Sequence, residues 1–178
     1  MKLVILDRDG VINHDSDNYI KSPEEWIPIA ESPEAIARLN HAGYTVVIAT
    51  NQSGIARGYF DISTLNAMHD KLHSVVNDAG GQVDGIFYCP HSPADNCNCR
   101  KPLPGLLQQI EDRFSLSVNN VPFIGDSISD IECARAAKAL PFLVRTGKGK
   151  KTEHKLKASD NIPVFNNLAD AVNYLLDS

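Results

Sequence analysis

The stretch Leu3–Gly10 (LVILDRDG) joins four consecutive apolar residues to an acidic turn. An uninterrupted apolar run of this kind is typical of a buried strand in a parallel sheet that helices cover on both faces. Asp7 and Asp9 follow at once, and Gly10 lets the chain turn tightly behind them. We therefore expect a central strand that delivers two carboxylates to its carboxyl end.

Short apolar runs alternate with helical patterns along the rest of the chain. Strands are predicted at residues 3–6, 44–49, 86–88, 121–124, 142–144 and 164–165. Helices are predicted at 33–41, from 61 to near 80, at 104–114, from beyond 124 through 139, and at 168–176. This alternation is typical of βαβ units. It predicts an α/β fold, a doubly wound, mostly parallel sheet with helices on both faces, in a single domain over residues 1–178.

Composition excludes several classes of protein. The 178 residues include 17 Lys and Arg against 22 Asp and Glu, a formal net charge of −5 at pH 7. That balance argues against nucleic-acid binding through bulk positive charge. No apolar stretch reaches the roughly 18 residues of a membrane span, and the first residues are too short an apolar run for a signal peptide. We expect a soluble, cytoplasmic monomer with no nucleic-acid or membrane partner.

In doubly wound sheets, ligands bind at the carboxyl ends of the strands. Polar segments occur at or beyond four of the predicted strand ends: Asp7–Gly10, Thr50–Gly54, Arg100–Pro102 and Gly125–Asp130. One of the carboxylates in the first segment can act as a nucleophile and the other as a general acid/base. The alternative is a solvated acidic turn, a pattern that is common when Asp-x-Asp-Gly stands alone.

Crowded carboxylates and nearby cations favour phosphate chemistry at this edge. Asp7 and Asp9, with Asp126 and Asp130 opposite, would repel one another unless a cation lies between them, and such oxygen ligands suit Mg²⁺. The segment that begins at Thr50 contains hydroxyl and amide side chains, which can donate hydrogen bonds to phosphate oxygens. Arg100 and Lys101 suit the same anion. Taken singly, these two segments could also be an Asx turn and two solvated surface cations.

Three of the four cysteines are crowded beside one histidine. The four potential ligands are Cys89, His91, Cys97 and Cys99. Three thiolates and an imidazole form a closed tetrahedral set, which is typical of structural rather than catalytic zinc. Such a site would hold the loop Ser92–Asn98 and so position Arg100 and Lys101. The alternative is a set of reduced thiols in a polar loop.

Three other groups are interpreted without a functional role. Cys133 lies among alanines and is expected in the core. His69 and His73 are one helical turn apart with no third ligand, which favours a solvated helix face. The basic run that begins at Lys148 lies between glycines, which indicates a mobile loop.

Four motifs, in this order, resemble those of the haloacid dehalogenase-like phosphatases. They are Asp7–Asn13 (DRDGVIN), Thr50–Gly58 (TNQSGIARG), Cys89–Pro102 (CPHSPADNCNCRKP) and Gly125–Asp130 (GDSISD). Within that superfamily they are most similar to the D-glycero-D-manno-heptose 1,7-bisphosphate 7-phosphatases, from residue 2 to about 149. The resemblance implies Mg²⁺-dependent hydrolysis of the C7 phosphate through an aspartyl-phosphate, in nucleotide-activated heptose and lipopolysaccharide core biosynthesis. No stretch between the motifs is long enough for a cap domain, so the site should be open.

The resemblance also implies roles for individual residues. Asp7 would be the nucleophile and Asp9 the general acid/base, while Thr50 and Lys101 would hold the transferring phosphoryl group. Substrate contacts would come from Asp15, Asn18, Asn51, Gln52, Ser53 and Arg100. Mg²⁺ would bind Asp7, the Asp9 carbonyl and Asp126, with Asp130 behind them; Zn²⁺ would bind Cys89, His91, Cys97 and Cys99. Ser127 stands where some members have Lys, so it is assigned no charge role.

Three alternatives stay open on these residues. The histidinol-phosphate phosphatases share the zinc loop and the aspartates. A phosphoryl-accepting receiver domain also has acidic residues, Thr and Lys on βα units, but it needs neither Asp9 nor a zinc loop. A zinc-stabilised binding protein with degenerate catalysis would not need the complete acidic set. Turnover of a generic phosphate ester separates the enzymes from the other two.

Overall fold

A computed structural model describes all residues, 1–178, and contains one six-stranded sheet. The strands are β1 (Lys2–Leu6), β2 (Tyr44–Asn51), β3 (Gly85–Cys89), β4 (Pro122–Gly125), β5 (Leu140–Val144) and β6 (Val164–Phe165). Their order is β3-β2-β1-β4-β5-β6 and every pairing is parallel. The chain winds outward from β1 to β3, then crosses to β4 on the other side of β1. The predicted doubly wound sheet is confirmed, with its switch point between β1 and β4.

Six α-helices cover the two faces of the sheet. They are α1 (Ser32–His41), α2 (Ile62–Asp78), α3 (Gly105–Phe114), α4 (Ile128–Ala136), α5 (Gly149–Lys155) and α6 (Leu168–Asp177). The apolar faces of α1, α2 and α6 pack into one core cluster. Those of α3 and α4 pack into a second cluster. Helices on both faces are therefore confirmed.

Strand β1 separates these two cores. Val4 and Leu6 belong to the first cluster, and Leu3 and Ile5 to the second, because successive side chains of a strand point to opposite faces. Both neighbouring strands pair with its end, so the carboxyl ends of β1, β2 and β4 meet at one edge. Asp7 continues this pairing, since its N–H donates to the carbonyl of Ile124 at 2.9 Å.

Two sequence-based expectations about secondary structure are corrected. The basic run at Lys148 is not a loop alone, because α5 begins one residue later and includes Lys150 and Lys151. The helix predicted to continue through Ala139 ends at Ala136, and Lys138 takes a left-handed conformation with φ of 61°. In both places turn-forming and helix-forming residues are mixed in the sequence. At the end of α4, the N–H of Ala139 donates to the carbonyl of Ala134 at 2.8 Å, which closes the helix.

The connections that border the site carry little regular structure of their own. Residues 7–31 and 90–104 each contain one short 3-10 turn, Pro23–Glu25 and Pro93–Asp95, and no α-helix or sheet strand. None of the helices combines the length and the apolar character that crossing a membrane requires.

Two glycines let a pair of loops approach beside the site. Gly10 and Gly147 both have positive φ, 85° and 57°. A Cβ at Gly147 would lie 2.6 Å from the Cα of Gly10 and would also collide with the carboxylate of Asp126. The turn after β5 can therefore reach the turn after β1 only without side chains at these points.

Gly147→Ala should reveal this close approach when compared with Gly43→Ala. Gly43 also has positive φ, 90°, but has open space around it. We expect Gly43→Ala to lower the free energy of unfolding by about 1–2 kcal/mol, the cost of a side chain in the left-handed region. Gly147→Ala should cost about 1–3 kcal/mol more, because the new methyl group overpacks the loop contact. Equal losses in urea unfolding of the two variants would contradict this packing.

Candidate active site

A polar cavity of about 290 Å³ opens at the edge where β1, β2 and β4 end. Seventeen residues line it, and two of these are hydrophobic. The predicted site residues among them are Asp7, Asp9, Asp15, Thr50, Asn51, Gln52, Ser53, Arg100, Lys101 and Asp126. Asp130 lies buried beside the cavity, while Asn18 is exposed to solvent and does not line it. Most of the residues predicted from the strand ends therefore lie together in the structure.

Other residues that line the cavity were not predicted from the sequence. Tyr19 and Ile20 are its hydrophobic lining. The other lining residues of this kind are polar: Ser16, Asp17, Ser127, Ser129 and Lys148. Lys148 follows the predicted strand 142–144, so the same strand-end rule could have found it. Tyr19 gives no comparable signal, because its position depends on the irregular connection after β1.

Lys101 is the buried centre of the site. Its Nζ lies 3.0 Å from Asp7 Oδ1 and 2.6 Å from Asp130 Oδ1, and it donates to the carbonyl of Ala49 at 2.9 Å. Burial opposes its charge, but the carboxylates of Asp130 and Asp7 together hold the pKa of Lys101 above its ordinary value. The side chain is therefore a fixed cation.

Asn51 holds the backbone of Lys101 in place. Its Nδ2 donates to the carbonyl of Lys101 at 3.0 Å, and its Oδ1 accepts the N–H of Lys101 at 3.0 Å. Both ends of the amide are used in this pair. The structure thus gives Asn51 a positioning contact that its spacing in the sequence did not indicate.

Asp7 has one engaged oxygen and one free oxygen. Oδ1 accepts the N–H of Arg8 at 2.7 Å in addition to its contact with Lys101. Oδ2 receives no hydrogen bond from the protein. Burial, together with the charges of Asp130, Asp126 and Asp9, raises the pKa of Asp7 well above its ordinary value despite Lys101. A cation at the free oxygen would favour the ionised form.

Asp130 is saturated by hydrogen bonds. Lys101 occupies Oδ1, while Oδ2 accepts the N–H of Asp126 at 3.0 Å and the N–H and Oγ–H of Ser127 at 3.2 and 2.9 Å. Burial raises its pKa, but the charge of Lys101 and these bonds bring the pKa below the ordinary value. Asp130 therefore orients Lys101 and the start of α4 and has little capacity left for a metal.

Asp9 lies in a different environment from Asp7. Its Oδ1 accepts from Arg8 Nε at 2.8 Å and from Asn13 Nδ2 at 2.9 Å, and its Oδ2 accepts from Gln52 Nε2 at 3.3 Å. Burial opposes ionisation, but the charge of Arg8 and these hydrogen bonds lower the pKa of Asp9. Its resting form is the carboxylate.

His69 does not lie on a solvated face, so that expectation is wrong. Its side chain is buried, and its Nε2 lies 3.2 Å from Nη1 of Arg8, which has no exposed surface. Burial and the charge of Arg8 lower the pKa of His69 to about 3. The helical pattern placed His69 correctly on α2 but could not show that a buried arginine packs beneath it. The Cys133 side chain is buried, as expected.

Asp126 completes a set of carboxylates that fits a divalent cation. Oxygens of Asp7, Asp126 and Asp130 lie within 4.8 Å of one another. Asp126 Oδ2 accepts the N–H of Lys148 at 2.8 Å, which leaves Oδ1 free. Burial and the charge of Asp130 raise the pKa of Asp126 to about 7. Two free carboxylate oxygens on buried, mutually repelling groups are a donor set that Mg²⁺ suits.

The four predicted zinc ligands come together at the end of β3. Sulfur and Nδ1 atoms of Cys89, His91, Cys97 and Cys99 all lie within 4.8 Å of one another. Cys89 Sγ is 3.6 Å from Cys97 Sγ and 3.5 Å from His91 Nδ1. Tetrahedral zinc with bonds of about 2.3 Å separates its sulfur ligands by about 3.8 Å, close to the distance between Cys89 and Cys97. Cys99 Sγ lies only 2.9 Å from Cys89 Sγ, so these two sulfurs must move apart when a metal binds.

This cluster is connected to the cation pair beside it. Burial raises the pKa of Cys97, but the backbone N–H groups of Arg100 and Cys99 donate to its sulfur and lower the pKa to about 6. The guanidinium of Arg100 also donates to the carbonyl of His91 at 3.4 Å. An ordered cluster therefore fixes the position of Arg100 and, through it, that of the next residue, Lys101.

Comparisons with known proteins agree with this geometry. The family described as "HAD-hyrolase-like" matches residues 98–171. The chain is 54% identical to the D-glycero-beta-D-manno-heptose-1,7-bisphosphate 7-phosphatase of Pseudomonas aeruginosa, over 98% of this chain and 97% of that protein. The chain belongs to this phosphatase family. It is 49% identical to the enzyme of the same name from Neisseria meningitidis serogroup A, over 99% and 95% of the two chains.

A solved structure of this phosphatase family has the same architecture. The D,D-heptose 1,7-bisphosphate phosphatase of Bordetella bronchiseptica, complexed with magnesium and phosphate, superposes with a TM-score of 0.96 at 51% identity and 99% coverage of both chains. Membership of this family makes the chain a phosphoric monoester hydrolase. The receiver-domain and non-catalytic alternatives are therefore set aside.

Mg²⁺ should stabilise the protein in a pH-dependent way. Because the pKa of Asp126 rises from 3.8 to about 7 on folding, its contribution to stability is full below pH 3.8 and is lost as the pH rises through about 7. Bound Mg²⁺ offsets that loss. At pH 8 we expect saturating Mg²⁺ to raise Tm by about 5–10 °C, and at pH 5 by far less because protons compete.

Thermal melts with and without Mg²⁺ at the two pH values measure this effect. Asp126→Asn is the matched control and should remove the shift at pH 8. An equal Mg²⁺ shift at both pH values, or an unchanged shift in Asp126→Asn, would contradict the assignment of Asp126.

Proposed function

We propose that the protein hydrolyses the C7 phosphate of D-glycero-D-manno-heptose 1,7-bisphosphate through an aspartyl-phosphate on Asp7, in carbohydrate metabolism that supplies activated heptose for lipopolysaccharide. One observation carries the mechanism. Asp7 keeps a free oxygen beside the fixed cation Lys101, while Asp9 lies in the same cavity with a separate set of partners. The names of relatives about 50% identical over nearly the whole chain support the substrate.

In the first step, the carboxylate of Asp7 attacks the phosphorus in line with the leaving sugar oxygen. The new bond joins Asp7 to phosphorus, and the bond between phosphorus and the C7 oxygen breaks. Asp9 donates a proton to that oxygen, so the sugar leaves as an alcohol. The resting Asp9 is ionised, and the negative charge of the entering phosphate raises its pKa so that it can take up this proton.

In the second step, water attacks the phosphorus of the aspartyl-phosphate. Asp9, now a carboxylate again, accepts a proton from that water. The bond between Asp7 and phosphorus breaks, which releases inorganic phosphate and restores the Asp7 carboxylate. One residue thus serves as acid and then as base.

Two further side chains are placed to hold the transferring group. Thr50 Oγ1 accepts from Gln52 Nε2 at 3.0 Å, so its own hydroxyl proton is free to donate to a phosphoryl oxygen. Lys101 contributes a fixed positive charge next to Asp7. Asp7, the carbonyl of Asp9 and Asp126 would hold Mg²⁺, which neutralises negative charge on the transferring phosphoryl group when bound. The Bordetella bronchiseptica relative, solved in complex with magnesium and phosphate, supports this cofactor.

The second phosphate of the substrate distinguishes this function from the histidinol-phosphate alternative. Arg100 lines the cavity and carries a guanidinium with a single protein acceptor, the carbonyl of His91. The primary C7 ester is less crowded than the C1 ester and is the one we expect beside Asp7. The C1 phosphate then lies toward the rim, where Arg100 can contact it.

Arg100→Ala should reduce kcat/KM for the bisphosphate by roughly 10- to 150-fold, the value of a charge-assisted contact. It should barely change the turnover of heptose 7-phosphate or histidinol phosphate, because neither has a second phosphate. Phosphorus NMR identifies the phosphate released, and Asp7→Asn, whose amide cannot attack phosphorus, is the blank. Release of the C1 phosphate, or an equal effect of Arg100→Ala on all three substrates, would refute the assignment.

We also propose that Cys89, His91, Cys97 and Cys99 bind a structural Zn²⁺. The convergence of the four ligand atoms within 4.8 Å and their closed set of three thiols and one imidazole support it. The metal would hold the loop in which Arg100 and Lys101 stand and would take no part in the chemistry. Asp15, Asn18, Asn51, Gln52 and Ser53 remain proposed substrate contacts. The single-domain organisation, the monomeric state and the cytoplasmic location stay predictions.

Cys97→Ala should lose the zinc, whereas Cys133→Ala should keep about one zinc per chain. The first variant should also lose turnover because Arg100 and Lys101 are no longer held. Added Mg²⁺ should not restore this loss, since a hard cation does not suit thiolates. Elemental analysis of purified protein, paired with kcat, tests the proposal, and active wild-type protein without zinc would overturn it.

A further inference from the structure

We propose that Arg8 and His69 are positioning residues that hold the general acid/base Asp9 with one oxygen directed to proton transfer. The inference rests on the proposed role of Asp9. It gives a function to two buried side chains that the mechanism above does not use. Neither residue touches the reacting atoms.

Arg8 binds one oxygen of Asp9. Its Nε donates a hydrogen bond to Asp9 Oδ1 at 2.8 Å. Its Nη2 makes an ion-pair contact with the same oxygen at 2.8 Å but no hydrogen bond. Asn13 Nδ2 donates to the same oxygen at 2.9 Å, whereas Oδ2 has a single, longer bond of 3.3 Å from Gln52. Oδ1 is therefore occupied, and Oδ2 is the oxygen that can exchange a proton at the cavity.

His69 fixes the other end of the guanidinium. Arg8 Nη1 lies 3.2 Å from His69 Nε2. A guanidinium can only donate hydrogen bonds, so Nε2 is the acceptor and the imidazole proton lies on Nδ1. A neutral acceptor orients Arg8 without competing for its charge, which stays available to Asp9. A carboxylate in the place of His69 would draw the guanidinium away.

The position of His69 is set by the core of the protein. It lies on α2 next to Met68 and one turn before His73, and α2 buries its apolar side against the sheet. The side chain therefore has a rigid support 61 residues away from Arg8 in the chain. Without it, Nη1 would be a buried donor with no partner, and the guanidinium would turn to engage both oxygens of Asp9.

The test uses the identity of the leaving group. An alkyl phosphate such as the heptose bisphosphate needs a proton on its leaving oxygen, while p-nitrophenyl phosphate leaves readily without one. We expect His69→Ala to lower kcat/KM for the sugar phosphate by roughly 10- to 100-fold, a part of what a positioned acid is worth. For p-nitrophenyl phosphate the loss should stay under about threefold, since the acid contributes little there.

Matched variants separate positioning from folding. His69→Gln can present an amide oxygen to Arg8 and should recover most of the selective loss. His69→Leu fills the site without an acceptor and should behave like His69→Ala even if the alanine variant folds poorly. His73→Ala, on the same helix, should leave both substrates unaffected. Thermal melts of all four variants establish that each is folded under assay conditions.

Each outcome has a separate meaning. Equal losses on the two esters in His69→Ala and His69→Leu, or no loss at all, would overturn the positioning role. Asp9→Asn in the same assays reports on the proposed function. If Asp9→Asn shows the leaving-group selectivity and the His69 variants do not, the inference alone fails. If Asp9→Asn lowers kcat/KM equally for both substrates, the assignment of Asp9 as general acid/base fails.

Discussion

The ion pairs of Lys101 are the interaction on which the site depends. A buried ammonium lies between Asp7 and Asp130, 3.0 and 2.6 Å from their oxygens. Breaking a buried charge network by removing one partner costs about 3–5 kcal/mol, because the remaining charges are left uncompensated. Here removal of Lys101 would leave the buried carboxylates of Asp7 and Asp130 without their cation. The loops around the site keep this ammonium group in place.

Two separate sets of contacts hold Lys101 in position. Asn51, at the end of β2, pairs with its backbone through both ends of the amide. The cysteine and histidine cluster holds the preceding residue, since the carbonyl of His91 accepts a hydrogen bond from the Arg100 guanidinium at 3.4 Å. A loop with little apolar content cannot be ordered by burial, so bonds of this kind replace a hydrophobic core in that part of the chain. The zinc proposal follows from this need as much as from the ligand spacing.

The two aspartates of the first loop differ in their surroundings. Burial and neighbouring carboxylates raise the pKa of Asp7, while Arg8 and its hydrogen bonds lower that of Asp9. Groups two residues apart in the chain thus favour different protonation states, which is how paired carboxylates take different roles in one site. The charge of Arg8 is directed to Asp9 because Nε2 of His69 accepts a hydrogen bond from Nη1, on the other side of the guanidinium.

The sequence by itself determined the sheet, the strand-end location of the polar cavity and the two clusters of side chains that could hold a metal. These follow from local patterns, since apolar runs define strands and parallel strands bring their carboxyl ends to one edge. Tertiary structure decided the partners of Asn51 and the burial of His69. Each depends on a contact between segments far apart in the chain, 50 residues for Asn51 with Lys101 and 61 for His69 with Arg8. A polar side chain on a helix or loop looks the same in sequence whether water or a buried charge faces it, and only packing supplies that neighbour.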